Sequence, residues 1–262
     1  MNEILIPVLI LAGLGLVFGI LLGIAAKVFA VKKDERIEKI ENALPGANCG
    51  GCGYPGCSGY AKAIVEDGVL VSLCSAGGNE VAKEIGKIMG IEVLEKEKMI
   101  ARVFCNGAND KANVKLKYKG VEDCFAAKRM AGGPKECQYG CIGLGSCVSV
   151  CKFDAIHIVD GVAKVDEEKC VACGACVKKC VQGLIRLVPE SQKYAVLCSN
   201  HDKGPIAKNV CTESCIGCKL CEKNCPNDAV KVDNSLSIID YDKCISCGIC
   251  ATKCPKKIIK EI

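Results

Sequence analysis

The spacing of apolar residues changes three times along the chain. From Ile4 to Ala26 no residue is charged, a run of twenty-three, long enough to cross a bilayer as an α-helix. Charge then returns, and Ile37, Ile40 and Leu44 recur at helical spacing within Lys33–Leu44. That pattern predicts a short helix ended by Pro45-Gly46. Further helices are expected from about Ser58 to Glu66 and from about Glu80 to Met89. Later the period falls to two. Ala155-Ile156-His157-Ile158-Val159 and Val162-Ala163-Lys164-Val165 flank Asp160-Gly161, a hairpin signal. A second hairpin is expected where Ala229-Val230-Lys231-Val232 and Leu236-Ser237-Ile238-Ile239 flank Asn234-Ser235.

The second hairpin belongs to a repeat. Cys124, Cys137, Cys141, Cys147, Cys151, Cys170, Cys173, Cys176 and Cys180 each recur 74 positions on, as Cys198, Cys211, Cys215, Cys221, Cys225, Cys244, Cys247, Cys250 and Cys254. Asp154-Ala155-Ile156 answers Asp228-Ala229-Val230 at the same offset. A repeat of this length reads as a duplicated structural unit.

The chain has 24 cysteines in 262 residues, a density that fits either a disulfide scaffold or a metal protein. Disulfide scaffolds belong to oxidising compartments, so the apolar run decides. Lys27, Lys32 and Lys33 follow it and only Glu3 precedes it. A signal peptide would have a shorter core with its positive charge in front. The charge bias instead predicts a single-pass anchor in the cell membrane, N-terminus outside and bulk in the cytoplasm. Membrane lipid is then one partner. The cytoplasm is reducing, which favours metal over disulfide. Gly15, Gly19 and Gly23 recur every fourth residue, as at contacts between membrane helices, although glycine is common in such helices in any case.

The formal charge of +5 overstates the basicity of a metal-loaded chain, because metal-bound cysteines are thiolates. With no Trp and 4 % aromatic residues, no base-stacking surface is expected. Nucleic acid is excluded as a partner.

Thiolate is a soft ligand suited to iron–sulfur clusters, and a [4Fe–4S] cubane takes four. Cys215, Cys218, Cys221 and Cys225, followed by Pro226, form one run; Cys244, Cys247, Cys250 and Cys254, followed by Pro255, form another. Together they closely resemble bacterial two-cluster ferredoxins, in which the fourth cysteine of each run serves the other cluster. The expected sets are Cys215, Cys218, Cys221 with Cys254, and Cys244, Cys247, Cys250 with Cys225. Structural zinc is the competing reading.

The earlier unit has one regular run, Cys170, Cys173, Cys176 and Cys180, but Leu144 stands where the repeat calls for a match to Cys218. Cys137 can supply the missing ligand, giving Cys137, Cys141, Cys147 with Cys180, and Cys170, Cys173, Cys176 with Cys151. Lys152 and Val181 replace the two prolines. Cys49, Cys52, Cys57 and Cys74 make a separate set, for which spacing admits zinc or a cubane. Cys105, Cys124, Cys198 and Cys211 remain, one further cubane's complement or else free buried thiols. Five clusters are therefore expected, with those four as candidate ligands of a sixth. His157 and His201 belong to no nucleophile–base arrangement.

The expected fold is α+β: a single N-terminal transmembrane helix (1–31), a small helical four-cysteine domain (32–95), and two tandem ferredoxin-like modules (96–190 and 191–262). This order of parts, with the string Asn48-Cys49-Gly50-Gly51-Cys52-Gly53-Tyr54-Pro55-Gly56-Cys57 after a membrane helix, closely resembles the B subunit of the Rnf (Rsx) complex. The resemblance covers essentially the whole chain. It implies a [4Fe–4S] cluster on Cys49, Cys52, Cys57 and Cys74. It also implies an iron–sulfur subunit of a translocase that couples ferredoxin oxidation and NAD reduction to Na+ or H+ movement. The implied donor is soluble ferredoxin, and the implied partners are the other membrane and peripheral subunits. No catalytic residue and no complete active site are expected on this chain; no G-x-G-x-x-G follows a strand. Familiar shorter members have one ferredoxin module, whereas this chain has two. On residues alone, a membrane polyferredoxin serving another reductase and a zinc-stapled interaction protein stay open.

Overall fold

The structure is a computed structural model that describes residues 2–28 and 34–262. Helix α1 spans Asn2–Val28. Its Val8–Ala25 segment has a mean hydropathy of 2.8 and makes no buried contact. Among the described residues it is the one helix long and apolar enough to cross a membrane. Lys32, Lys33 and the expected end of the anchor at position 31 lie outside the described residues.

Three helices follow: α2 (Glu35–Ala43), α3 (Cys57–Glu66) and α4 (Gly78–Met89). Asp34 caps α2, accepting from the Arg36 backbone N–H at 2.9 Å, which satisfies one of the free donors of the first turn. Gly90 ends α4 in the left-handed region, a conformation glycine adopts without strain. The apolar residues the pattern put on one face meet in a single core. Ile40, Tyr60, Ile64 and Ile85 are wholly buried there, with Cys52, Cys57 and Cys74 packed at its edge. The Tyr60 hydroxyl donates to the Leu70 carbonyl at 2.7 Å and accepts from the Leu73 N–H at 3.1 Å. These two bonds fix the loop that carries Cys74.

The first repeated unit runs β1 (Met99–Val103), α5 (Cys124–Arg129), β2 (Ile156–Val159), β3 (Val162–Val165), α6 (Ala175–Lys179) and β4 (Ile185–Pro189). The second runs β5 (Tyr194–Val196), α7 (Gly204–Val210), α8 (Leu220–Lys223), β6 (Val230–Asp233), β7 (Leu236–Ile239), α9 (Ile249–Lys253) and β8 (Ile259–Glu261). Strands β2–β3 and β6–β7 are the two expected hairpins, antiparallel throughout. Asp160 and Gly161, and Asn234 and Ser235, all have positive φ, as a two-residue turn matched to strand twist requires.

Each unit is closed by its own first and last strands. β1 pairs antiparallel with β4, Met99 opposite Pro189 and Val103 opposite Ile185. β5 pairs with β8, Tyr194 opposite Glu261 and Val196 opposite Ile259. Val103-Phe104-Cys105 and Val196-Leu197-Cys198 therefore leave equivalent strands, 93 positions apart rather than 74. The difference of 19 is an insertion between Cys105 and Cys137, and α5 with Cys124 lies in it. A small apolar cluster of Phe104, Val188 and Ala195, with Leu197, Tyr241 and Ile262 against it, joins the two units.

Replacing Tyr60 with Phe removes a hydroxyl that both donates and accepts. The loss should cost about 1–3 kcal/mol and expose residues 67–74 to protease in the intact, anaerobically purified protein, while the helix content stays unchanged.

Candidate metal centres

Most of the cysteines line four cavities of about the same size. Cys151, Cys170, Cys173 and Cys176 share one of about 360 Å³. Cys215, Cys218, Cys221 and Cys254 share one of about 330 Å³. In both, three cysteines of one run meet the last cysteine of the other, the crossing that the run spacing implies. Cys124, Cys141, Cys147 and Cys180 line a third cavity of about 390 Å³. Cys105, Cys137, Cys198 and Cys211 line a fourth of about 340 Å³.

The third and fourth cavities regroup two residues. Cys137, expected beside Cys141, Cys147 and Cys180, faces the fourth cavity, and Cys124 takes its place in the third. The cause is local. Asp123 caps α5 through the Ala126 N–H at 2.9 Å and accepts the Ser146 hydroxyl at 2.9 Å, while the Cys124 N–H donates to the same hydroxyl at 2.7 Å. Cys124 is thereby tied next to Cys147, on the side that Leu144 leaves without a thiol.

The two remaining sets show as neighbours through their charges. Burial raises the Cys74 thiol above its usual range, and Cys57, Cys49 and Cys52 add to the rise. Burial raises Cys250 to about 11, with Cys244 and Cys247 adding to it. Cys225 and Cys244 pack against the same core as Cys250. Burial also pushes Cys137 and Cys176 up to about 11, and Cys147 and Cys198 up to about 12. Thiols this weakly acidic stay protonated at neutral pH unless a metal displaces the proton.

Two observations test what these sets fit. Among the described residues, no three His, Cys, Asp or Glu side chains converge as a single ion requires; zinc would hold each sulfur at ~2.3 Å. In each cavity four sulfurs face one shared space, which suits a body that takes a ligand at each of four corners. Backbone N–H groups also point at sulfurs: Ala155 at Cys151 (3.4 Å), Ala229 at Cys225 (3.3 Å) and Leu184 at Cys180 (3.4 Å). Hydrogen bonds to sulfur are one of the levers by which a protein sets cluster potential. The sites fit [4Fe–4S] clusters.

The sets lie against one another. A Cβ added to Gly51 would sit 2.9 Å from the Cys173 carbonyl oxygen and 3.1 Å from its Cα, so the four-cysteine domain touches the first unit at its own metal loop. Lys152, which stands where the second unit has Pro226, donates to the Asn48 carbonyl at 2.8 Å. Its departure from the repeat marked the position, but nothing in the sequence named its partner.

Paired short sheets carrying crossed cysteine runs define an iron–sulfur protein. Comparison with known proteins agrees. A family model described as "Putative Fe-S cluster" matches residues 44–75, and two described as "4Fe-4S dicluster domain" match 214–259 and 169–230. The chain is 48% identical over 93% of its length to the B subunit of the Na(+)-translocating ferredoxin:NAD(+) oxidoreductase complex of Acetobacterium woodii, covering 73% of that protein. It is 45% identical to the B subunit of the ion-translocating oxidoreductase complex of Methanosarcina acetivorans, over 93% of each chain. It is 38% identical to the B subunit of the proton-translocating ferredoxin:NAD(+) oxidoreductase complex of Clostridium ljungdahlii, over 92% of this chain and 85% of the relative. The chain belongs to the family formed by the B subunits of these ion-translocating oxidoreductase complexes.

Because Gly51 has no room for a methyl group, Gly51→Ala should part the four-cysteine domain from the Cys173 loop. Iron content should be unchanged. The magnetic interaction between these two centres, read as line broadening in the EPR spectrum of the fully reduced protein, should weaken.

Proposed function

We propose that this chain is the iron–sulfur electron-transfer subunit of a membrane complex that couples ferredoxin oxidation and NAD reduction to Na+ or H+ translocation. Soluble ferredoxin is the donor, and the membrane subunits, set in lipid, are the acceptors. The observation that carries this reading is contiguity: the cysteine sets follow one another from the four-cysteine domain beside α1 to the far end of the second unit. The relatives' names supply the reaction.

Bound [4Fe–4S] clusters supply one-electron chemistry, which needs no proton or bond change from the chain. The chain's residues hold them. The five sets are Cys49, Cys52, Cys57 and Cys74; Cys124, Cys141, Cys147 and Cys180; Cys151, Cys170, Cys173 and Cys176; Cys215, Cys218, Cys221 and Cys254; and Cys225, Cys244, Cys247 and Cys250. The second and third lie in one ferredoxin-like module (96–190), the last two in another (191–262).

Entry is at the second module. Cys218 and Cys247 are the two exposed cysteines among the described residues, with exposed Lys219 and Lys223 close to the first of them in the chain. An acidic partner carrying electrons can approach there under electrostatic steering. Exit is at Cys49, Cys52, Cys57 and Cys74, which the neighbouring membrane helix keeps near the bilayer. The N-terminus lies outside and the cysteine domains are cytoplasmic. This agrees with Lys27 at the end of α1 and the bias of positive charge towards the cytoplasm.

Replacing Cys52 with Ala in the assembled complex should leave ferredoxin able to reduce the remaining centres, read by bleaching of visible absorption. Reduction of the membrane subunits should stop. If onward transfer persists at the wild-type rate, the exit lies elsewhere.

A further inference from the structure

We propose that the insertion between Cys105 and Cys137 is a docking surface for a small acidic protein that carries single electrons, a second port beside the one at Cys218 and Cys247. The proposal rests on the reading of the chain as an iron–sulfur electron-transfer subunit and adds a place of exchange to it.

The insertion holds more than the fold needs. The second module closes its hairpin and its outer strand pair without it. Bringing Cys124 to the third cavity takes α5 alone. Yet large apolar side chains stand in the open around α5. Phe125 is 57 % exposed, Met130 59 % and Val121 72 %. Scattered apolar residues on a surface are ordinary. An aromatic, a methionine and a valine on one short excursion of chain have the composition of an interface centre. The Arg129 guanidinium lies over the Phe125 ring, 5.7 Å from its centre, a contact that keeps the ring at the surface.

The charge around this centre has one sign. Lys117, Lys119, Lys128 and Arg129 are exposed, and none is in an ion pair among the described residues. The Tyr118 hydroxyl donates to the Val121 carbonyl at 3.0 Å, so the turn that carries Lys117 and Lys119 is fixed beside Val121. Lys128 donates to the Val181 carbonyl at 2.9 Å. That bond sets α5 against the loop after Cys180, where exposed Lys179 lines the third cavity with Cys124. The acidic groups of the insertion are mostly engaged elsewhere. Asp123 caps α5 and takes the Ser146 hydroxyl. Asp110 pairs with Lys111 at 3.0 Å, and Glu136 accepts from the Asn113 amide at 2.9 Å.

Unpaired cations around an apolar centre fit a partner with carboxylates around an apolar centre. The place on the molecule says what that partner does. Phe125 follows Cys124 directly in the chain, so a protein seated on Phe125 rests against a metal set. One electron passes from the carrier, which is oxidised, to the centre held by Cys124, Cys141, Cys147 and Cys180, which is reduced. No proton or bond needs balancing. An electron that enters here reaches the first module without crossing the second.

The test uses the full chain, purified anaerobically in detergent. A reduced, acidic two-cluster ferredoxin is the probe, and dithionite is the control reductant that needs no docking. Lys219→Glu with Lys223→Glu closes the other port. In that background ferredoxin should still bleach the chain in stopped flow. Adding Arg129→Glu and Lys179→Glu should slow the remaining reaction about tenfold at low salt, with less effect at high salt. Iron content and the dithionite rate should not change. Lys117→Glu with Lys119→Glu, distant in sequence from every regular cysteine run, repeats the test should the first pair cost iron. An unchanged ferredoxin rate in both added pairs, or no ferredoxin reaction once the other port is closed, overturns the second port and leaves the electron-transfer reading standing. A wild-type chain that ferredoxin cannot reduce overturns both. Amine labelling of Lys117 and Lys119 in the intact complex should be blocked only when ferredoxin is added. Protection without it means a fixed subunit covers the surface, which also overturns the port.

Discussion

Metal–thiolate ligation is the interaction on which this structure depends. The cores of the two modules are small and built around sulfur. Cys147 and Cys170 belong to one core, and Cys198, Cys215, Cys221 and Cys250 to the other. Sheets of two strands cannot by themselves close a stable domain, and apolar area in units this small is short. Ligation supplies the missing free energy. It also dictates the loops. Ala172 and Ser246, each just before a cysteine of a run, share the same positive φ. So do Asp154 and Asp228, each three residues after one. The backbone turns where a sulfur must be presented, whichever residue has to accept the strain.

Much of this was legible in the sequence. The period of two, with Asp160-Gly161 and Asn234-Ser235 between strands, located both hairpins. The spacing of Ile37, Ile40 and Leu44 located α2. Run spacing implied that Cys254 crosses to Cys215, Cys218 and Cys221 and that Cys151 crosses to Cys170, Cys173 and Cys176, and each of these groups lines one cavity; it set Cys137 beside Cys141, where Cys124 lies instead. What escaped was long-range. No turn joins Met99–Val103 to Ile185–Pro189, so nothing local announces their pairing. Without it the offset of 74 sets Cys124 beside Cys198, and the equivalence of Cys105 with Cys198 stays hidden. The coincidence was real as arithmetic and misleading as structure, since an insertion of 19 residues happened to carry a cysteine of its own.

That insertion explains how the first module tolerates Leu144. A ferredoxin-like run that loses its middle cysteine loses a ligand, unless another thiol reaches the same corner. Cys124 on α5, held by Asp123 and Ser146, lines the same cavity as Cys141, Cys147 and Cys180. Cys137 is thereby free to face the fourth cavity, as Cys211 does from the other side. Two departures from the repeat, Leu144 and the insertion, are thus one compensated change. Lys152 is a second specialisation: where the other module has proline, the first module uses this position to grip the four-cysteine domain.

The cavity lined by Cys105, Cys137, Cys198 and Cys211 is the one of the four that draws cysteines from both modules. Cys105 and Cys211 are 106 positions apart in the chain, so the last of the four thiols lining that cavity is made after the whole of the first module. Every other group can be closed within one module or domain as it emerges. The lining of the cavity shared by the two modules is complete only once both have been made.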